Sequence, residues 1–165
     1  MNTEIERKYK ITDYEQIKDK LLKLGAKFVS KKESKDTYFV IPQEVKNTRY
    51  LRIRSSNEKG GTLAYHEVLN DFETKEFEVE VSDNIATETI FKKLSFMVDV
   101  IVEKVREKFN FEDYEIVLDE VTNLGYFIEL EATSIDKLES LAKKLELDKN
   151  TIISGAGYPD LLRED

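Results

Sequence analysis

Residues 3–11 read Thr3-Glu4-Ile5-Glu6-Arg7-Lys8-Tyr9-Lys10-Ile11, and the stretch alternates with the period of two that is typical of a β-strand. Glu4, Glu6 and Lys8 share one face, and mostly apolar side chains share the other. An ordinary half-buried strand has one apolar face and one face in water. Here the polar face carries two carboxylates and an ammonium group, so it lies either in water or in a polar cavity.

Composition limits the classes of function. The chain has 165 residues, 40% of them hydrophobic, which fits one domain spanning residues 1–165. Its 34 acidic and 26 basic residues give a net charge of -8, which argues against binding along nucleic acid or to anionic membranes. With no cysteine and one histidine, a metal site would be built from oxygen ligands, which favour magnesium, manganese or calcium.

The sequence also indicates a location. Glu4 and Glu6 stand where a signal peptide needs a basic start followed by an apolar run. No later stretch approaches the roughly 20 apolar residues of a membrane-spanning helix. We therefore predict a cytoplasmic protein.

Apolar spacing predicts three helices. The first begins at a capping box, Thr12 to Glu15, and ends at Gly25. The second runs from Ala86 to about Phe96, and the third runs from Ser134 to about Leu145. The predicted buried stripe of the second helix consists of Ile90, Phe91, Leu94 and Met97.

Strand patterns fill most of the remaining chain. Besides the opening strand, period-two segments occupy residues 28–30, 37–41, 49–55, 62–69, 75–81, 98–109, 114–122 and 126–132. About eight strands exceed what a small open sheet holds comfortably, and closure removes the exposed edges. The predicted fold is therefore α+β: an eight-stranded antiparallel closed β-barrel, or tunnel, with about three peripheral helices.

Charges of both signs recur at period two in several of these strands. The residues concerned are Arg52, Arg54, Lys104, Arg106, Lys108, Asp119, Glu129 and Glu131. For any one strand, a solvated outer face explains such residues adequately. If they line an interior instead, each needs an opposite charge, a metal or water to offset its desolvation, and the mixture of signs meets that need.

Polyphosphate binding is the chemistry that uses both signs in one cavity. Arginine and lysine side chains bind the non-bridging phosphate oxygens, and clustered carboxylates hold divalent cations that bridge the phosphates. Carboxylates alone would repel the phosphates, and bases alone would bind without the metal that activates a nucleophile. The strands of this sequence carry both the basic and the acidic side chains that such a site needs.

The sequence also resembles a known family over nearly its whole length. Residues 4–8, Glu-Ile-Glu-Arg-Lys, match the Glu-x-Glu-x-Lys signature of the CYTH superfamily, or triphosphate tunnel metalloenzymes, which includes class IV adenylyl cyclases and thiamine triphosphatases. Later segments occur in the family's order: Asp36 to Phe39, Tyr50 to Arg54, Lys104 to Arg106, and Ile116 to Glu131. The last of these, with Tyr158-Pro159-Asp160-Leu161-Leu162, looks most like the class IV cyclases, whereas the opening looks more like the triphosphatases.

The resemblance implies an eight-stranded tunnel with these charges inside and a role for each. Lys8 and Glu6 would be catalytic. The residues that would bind the triphosphate are Arg52, Arg54, Lys104, Arg106, Lys75 and His66. Those that would hold Mg2+ or Mn2+ are Glu4, Glu6, Glu78, Asp119, Glu129 and Glu131.

Two of these positions depart from the family pattern. His66 stands where family members usually carry a lysine, and histidine is shorter and largely neutral at pH 7. Lys75 stands ahead of the Glu-x-Glu strand, where its charge lacks the bidentate geometry of arginine. Both changes weaken phosphate binding in principle. The strand aromatics are predicted to belong to the core, and none is assigned to a nucleobase.

The leading prediction is a metal-dependent enzyme like the class IV adenylyl cyclases, which convert ATP to cyclic AMP and pyrophosphate. The first alternative is a triphosphatase that releases orthophosphate from thiamine triphosphate, a nucleoside triphosphate or inorganic triphosphate. Further alternatives are a non-catalytic triphosphate or polyphosphate sensor and a barrel whose charges are merely solvated. The predicted partner is a small-molecule triphosphate, not nucleic acid or a membrane, and a homodimer through an outer sheet face is compatible with the sequence.

Overall fold

Strands dominate the residues that the structure, a computed structural model, describes, namely 2–41, 48–56, 59–153 and 157–163, with the side chains of residues 2–4 and 56 outside the description. The strands are β1 (Asn2–Ile11), β2 (Lys27–Phe39), β3 (Arg49–Ser56), β4 (Gly61–Val68), β5 (Glu73–Val81), β6 (Val98–Phe111), β7 (Tyr114–Val121), β8 (Gly125–Glu131) and β9 (Ile152–Ile153). The helices are α1 (Tyr14–Leu24), α2 (Asn84–Lys93), α3 (Ile135–Lys144) and α4 (Tyr158–Arg163), with a 3-10 turn at Lys149–Thr151. None of the helices in these ranges is long and apolar enough to cross a membrane.

Eight strands close into an antiparallel ring in the order β1, β5, β4, β3, β2, β6, β7, β8. The opening strand β1 completes the ring by pairing with two strands. Its first half pairs with β5, from Asn2 opposite Glu76, and its second half pairs with β8, from Glu6 opposite Glu131. The ring and its peripheral helices confirm the predicted fold class.

The two faces of β1 have the predicted difference in environment. Tyr9 and Ile11 are buried in the main hydrophobic core, which lies between the sheet, α1 and α3. Arg7, on the same face, places its guanidinium 4.2 Å from the centre of the Phe72 ring. The opposite face points into the ring, so the charged half of the opening strand faces a cavity.

Strand β2 is longer than the sequence patterns predicted. The patterns gave two segments, 28–30 and 37–41, whereas β2 runs without a break from Lys27 to Phe39. It pairs with β6 along its whole length, with register shifts between Phe28 and Ser30 and between Tyr38 and Phe39. Between these two segments charged side chains occupy both faces of the strand, so the sequence shows no alternation of apolar and polar residues. The backbone hydrogen bonds of the strand do not depend on that alternation.

Helices α1 and α3 agree with the predicted apolar spacing, and α3 has the predicted cap, whereas the cap of α1 is one residue later than the Thr12 of the predicted capping box. Asp13 accepts a hydrogen bond from the backbone N–H of Gln16 at the start of α1, and Gly25 ends that helix with φ of 95°. Ser134 caps α3 in the same manner. Each helix buries leucines against the outer surface of the ring.

Helix α2 is the exception. Of its predicted buried stripe, Ile90, Leu94 and Met97 are 58%, 64% and 66% exposed, so that prediction was wrong. The helix is held to the sheet by the Phe91 ring, 5.3 Å from the Phe39 ring, and by a hydrogen bond between Thr37 and Glu88. A single aromatic anchor leaves the rest of the apolar stripe uncovered.

Candidate functional site

A cavity of about 440 Å³ lies inside the ring, and every one of the eight ring strands contributes to its lining. The charged or titratable lining residues are Glu6, Lys8, Lys32, Arg52, Arg54, His66, Glu76, Glu78, Lys104, Arg106, Lys108, Glu115, Glu129 and Glu131. Ten of the predicted site residues are in this set. The structure therefore brings together, in one chamber, side chains that the sequence placed on six separate strands.

Glu6, Lys8 and Glu129 form a cluster on neighbouring strands, because the register of β1 and β8 sets Lys8 opposite Glu129. The Lys8 Nζ lies 3.0 Å from Glu129 Oε2, and both side chains are about 15% exposed or less. Burial and the nearby Glu129 carboxylate raise the pKa of Glu6 to about 7, against the opposing charge of Lys8. Burial alone would lower the pKa of Lys8, but Glu129 and Glu6 raise it above its ordinary value. Near neutral pH, Lys8 is thus a cation and Glu6 can exchange a proton.

Arg106 is held by two carboxylates. Its guanidinium makes hydrogen bonds of 2.8 and 2.7 Å to the two oxygens of Asp119, and its Nη2 lies 3.3 Å from Glu129 Oε2. Burial alone would raise the pKa of Asp119, but Arg106 lowers it, so the carboxylate is charged. Asp119 also accepts a hydrogen bond of 2.8 Å from the Tyr158 hydroxyl. Its buried oxygens face these two partners, and a metal-binding role for Asp119 stays a prediction from the sequence.

Arg54 and Lys104 share the carboxylate of Asp36. Arg54 donates hydrogen bonds of 2.8 and 2.9 Å to the two oxygens, and Lys104 Nζ lies 2.6 Å from one of them. Asp36 is fully buried. Asp36 lies in one of the segments that resemble the family, but no role was predicted for it from the sequence. The available signal was its position on a strand of inward-facing polar residues, where a neighbouring cation requires a counter-charge.

Arg52 and His66 occupy another part of the wall. Arg52 Nη2 lies 3.3 Å from Glu76 and 3.2 Å from Glu78, the second of which is 39% exposed. His66 Nε2 lies 3.3 Å from the same Glu76 oxygen but makes no hydrogen bond of good geometry. Burial and the charges of Arg52 and Arg54 lower the pKa of His66 to about 3, so the imidazole is neutral. The sequence predicted Glu78 but missed Glu76, which shares its inward face.

Lys75 is not part of this chamber. Side chains alternate along β5, and Lys75 lies on the outer face with its Nζ 5.8 Å from the centre of the Phe77 ring. The cavity-facing neighbours are instead Thr74 and Glu76. This placement corrects the expectation that Lys75 binds phosphate.

Three further cavity residues were not predicted as part of the site. Lys32 lies on β2, and Lys108 makes an ion pair of 2.5 Å with Glu115 between β6 and β7. The three unpredicted residues are thus Lys32, Lys108 and Glu115.

Glu131, which was predicted, also lines the cavity. Burial, followed by the charges of Glu115 and Glu129, raises the pKa of Glu131. This region of the wall is predominantly carboxylate and lysine.

The fit to a divalent metal depends on the carboxylates. Among the residues that the structure describes, no group of three His, Cys, Asp or Glu side chains is arranged to hold a metal ion. The side chain of Glu4, a predicted ligand, lies outside those residues. Glu6 and Glu129, however, line the same cavity, and the Glu129 carboxylate helps to raise the pKa of Glu6. Neighbouring carboxylates, one of which holds a proton, fit a hard cation such as Mg2+ or Mn2+, which takes the place of that proton.

Comparison with known proteins gives a match to a family model. The model of the CYTH domain matches residues 2–157. A protein of Methanocaldococcus jannaschii named "Putative adenylate cyclase MJ0240" is 35% identical, and the alignment covers 91% of this chain and 93% of that protein.

Solved structures share the fold. The PH1012 protein of Pyrococcus horikoshii superposes with a TM-score of 0.82 at 30% identity, covering 91% of this chain and 94% of that one. A Hippeastrum protein, described as a "putative adenylyl cyclase" that reveals a dominant triphosphatase activity, superposes with a TM-score of 0.70. The Hippeastrum comparison covers 99% of this chain and 96% of that one at 17% identity, so the likeness concerns the fold alone.

Proposed function

Because this chain belongs to the CYTH domain family, we propose that it is a divalent-metal-dependent enzyme that hydrolyses a triphosphate bound inside its ring. The observation that carries the proposal is the cluster of Glu6, Lys8 and Glu129 in one cavity with three arginines. The cavity supplies cations for phosphate oxygens and carboxylates for a metal in the same chamber.

The arginines are oriented before any substrate binds. Asp36 fixes Arg54, Asp119 fixes Arg106, and Glu76 with Glu78 holds Arg52. Bidentate guanidinium groups recognise non-bridging phosphate oxygens, and their fixed orientation lowers the entropic cost of binding. These arginines, with Lys104, are the proposed triphosphate-binding residues.

The acid–base roles follow from the charges. Lys8 is protonated, so it stabilises negative charge on phosphate oxygens and does not act as a base. Glu6 has a pKa of about 7 in the metal-free protein, and as a charged carboxylate, once it has lost its proton, it is suited to orient an attacking water. Glu6, Glu129 and Glu131 would hold the metal, with Glu4 as the further ligand predicted from the sequence. The metal, when bound, neutralises phosphate charge and lowers the pKa of a bound water.

Hydrolysis rather than cyclisation is favoured by the aromatic residues of the cavity. Cyclisation of ATP requires an ordered base, and bases are usually held by stacking on an aromatic ring. Tyr38, Tyr50 and Tyr158 line the cavity, but Tyr38 and Tyr50 pack against each other and Tyr158 packs against Phe127. Lys8 Nζ also lies 4.6 Å from the centre of the Tyr158 ring. The chamber therefore offers charge for a triphosphate more readily than a stacking surface for adenine.

Adenylyl cyclase activity is the second candidate. It is favoured by the name of the Methanocaldococcus jannaschii relative, which is 35% identical, and by the C-terminal segments that resemble class IV cyclases. The two activities release different products from different bonds.

A substrate comparison tests the proposal. ATP, thiamine triphosphate and inorganic triphosphate are offered in turn with Mg2+ and with Mn2+, and the products are separated by ion-exchange chromatography. We expect orthophosphate. Cyclic AMP with pyrophosphate would identify a cyclase instead, and thermal stabilisation by triphosphate without turnover would identify a sensor. Neither turnover nor stabilisation would overturn the tunnel interpretation.

Metal binding should release a proton from Glu6. In the metal-free protein Glu6 keeps its proton up to a pH of about 7. A cation that binds the Glu6 carboxylate displaces that proton. The affinity for Mn2+ should therefore rise as the pH increases towards 7 and level off above it. Isothermal titration calorimetry at pH 6 in two buffers of different ionisation enthalpy measures the expected release of about one proton per metal ion.

The matched control for this titration is Glu6→Gln. Glutamine cannot bind the proton, so the heat of binding should become independent of the buffer while weaker metal binding persists. A proton release unchanged by the substitution would assign the titration to another group.

His66→Lys should tighten the binding of inorganic triphosphate. The neutral imidazole contributes no charge, whereas a lysine beside Glu76 adds a cation to the same wall. We expect a Kd about fivefold lower at low salt, corresponding to about 1 kcal/mol, and a smaller gain at high salt. Calorimetric titration with inorganic triphosphate, without divalent metal, measures the Kd of both proteins. Weaker binding would show that position 66 does not contact the phosphates.

Two further features stay predictions from the sequence. We propose a cytoplasmic location and a homodimer as the simplest settings for this activity. Cell fractionation and analytical ultracentrifugation test them directly.

A further inference from the structure

The C-terminal helix α4 contributes the buried side chain of Tyr158 to the lining of the cavity. Tyr158 is 3% exposed, and its ring packs edge to face on Phe127 with centres 4.9 Å apart. It belongs to a second core cluster that also contains Tyr38 and Tyr50. The side chain is therefore fixed by packing on the sheet.

The hydroxyl of Tyr158 begins a continuous series of polar contacts. It donates to Asp119 over 2.8 Å, and Asp119 accepts two hydrogen bonds from Arg106. Arg106 lies 3.3 Å from Glu129, which lies 3.0 Å from Lys8. Five residues thus connect the C-terminal helix to the proposed catalytic cluster.

The ring of Tyr158 contacts the same cluster by a second route. Its centre lies 4.6 Å from Lys8 Nζ and 5.5 Å from Lys104 Nζ, distances typical of cation–π contacts. The preceding Gly157 has φ of 84°, and a Cβ atom there would lie 3.2 Å from Lys8 Nζ. The positive φ favours glycine, and the backbone of this segment lies close to the Lys8 ammonium.

We infer that Tyr158 is a positioning residue for the proposed reaction: its hydroxyl orients Arg106 through Asp119, and its ring orients the Lys8 ammonium. The inference rests on the proposed function. A buried carboxylate that loses one donor either shifts towards its remaining partner or binds water. Either change displaces the Arg106 guanidinium from the cavity wall, and a displacement of this kind lowers the rate of the chemical step.

Closing one end of the ring is a competing role for Tyr158. In that case only its bulk and apolar packing matter, and phenylalanine would serve equally well. The positioning role instead depends on the hydroxyl. Tyr158→Phe separates the two, because it preserves the ring and its contacts with Phe127 and Lys8.

The experiment compares Tyr158→Phe with Tyr114→Phe. Tyr114 is also a buried tyrosine, but it lies in the main core, away from the cavity lining. With inorganic triphosphate as substrate, we expect Tyr158→Phe to lower kcat about tenfold and to change KM by less than about twofold, since the other arginines still bind the ground state. Both variants should have similar Tm values, and Tyr114→Phe should keep its kcat within about twofold.

A crystal structure of Tyr158→Phe gives a readout that does not depend on turnover. We expect the Asp119 carboxylate and the Arg106 guanidinium that it holds to be displaced from their positions in the parent protein. A kcat within twofold of the parent enzyme, or an unmoved Arg106, would overturn the inference, as would parallel losses of kcat and Tm. If the parent enzyme hydrolyses no triphosphate, the proposed function fails separately, and the position of Arg106 still decides whether Tyr158 orients it.

Discussion

Replacement of Glu129 by glutamine is expected to lower the rate of metal-dependent triphosphate hydrolysis by about a thousandfold while leaving the protein folded. Glu129 lies 3.0 Å from Lys8 Nζ and 3.3 Å from Arg106 Nη2, and its charge helps to raise the pKa of Glu6. Burial alone would raise its pKa, but Lys8 and Arg106 hold it well below the ordinary value, so it is fully charged. Glutamine removes a proposed metal ligand and the anion 3.0 Å from the Lys8 ammonium. Initial rates of orthophosphate release at saturating Mg2+ or Mn2+ measure the effect.

The matched control is Glu120→Gln, on the outer face of β7. Glu120 is exposed and does not line the cavity, so the same loss of charge there should leave the rate within about twofold. A Glu129→Gln enzyme with the rate of the parent would show that the contact between Lys8 and Glu129 only stabilises the fold. Circular dichroism of both variants excludes unfolding as the cause of a lower rate.

The charged faces of the strands could be predicted because alternation along a strand is geometrically strict. Once β1 directs Tyr9 into the core, Glu6 and Lys8 must point the other way, and the ring turns that direction into a cavity. Closure of the ring itself was predicted from strand number. The same rule explains the error at Lys75, since a shift of one position along β5 places a residue on the opposite face.

Pairings within the cavity could not be predicted, because they depend on register. Whether Arg54 faces Asp36 or another acid is decided by how β2 and β3 align, and the sequence does not contain that alignment. Tyr158 lies 39 residues from Asp119 along the chain, and only the docking of α4 brings the two together. The uncovered stripe of α2 was mispredicted because spacing shows that a helix has an apolar side but not what packs against it.

Replacement of Asp36 by asparagine is expected to lower the free energy of unfolding by about 3–5 kcal/mol, because it leaves the buried Lys104 and the partly buried Arg54 without their shared counter-charge. Burial alone would raise the pKa of Asp36, but Lys104 and Arg54 hold it well below the ordinary value of 3.8. The stabilisation by a charged Asp36 is therefore present above pH 3.8 and is lost as the pH falls through its lower folded-state pKa. Urea denaturation at pH 7 and at pH 3 should show a smaller difference between the two proteins at the lower pH.

Inorganic triphosphate should partly reverse this destabilisation. A polyanion in the cavity supplies the negative charge that Arg54 and Lys104 lack in Asp36→Asn, so 1 mM triphosphate without divalent metal should raise the urea midpoint more in the variant than in the parent. Asp113→Asn is the control, because Asp113 also pairs with a lysine but is 46% exposed, and it should show little change with or without the ligand. A destabilised Asp36→Asn protein that triphosphate does not rescue would mean that Arg54 and Lys104 are structural cations that phosphate does not reach. Rescue would instead show that Asp36 occupies, in the free protein, the electrostatic position that the substrate takes over.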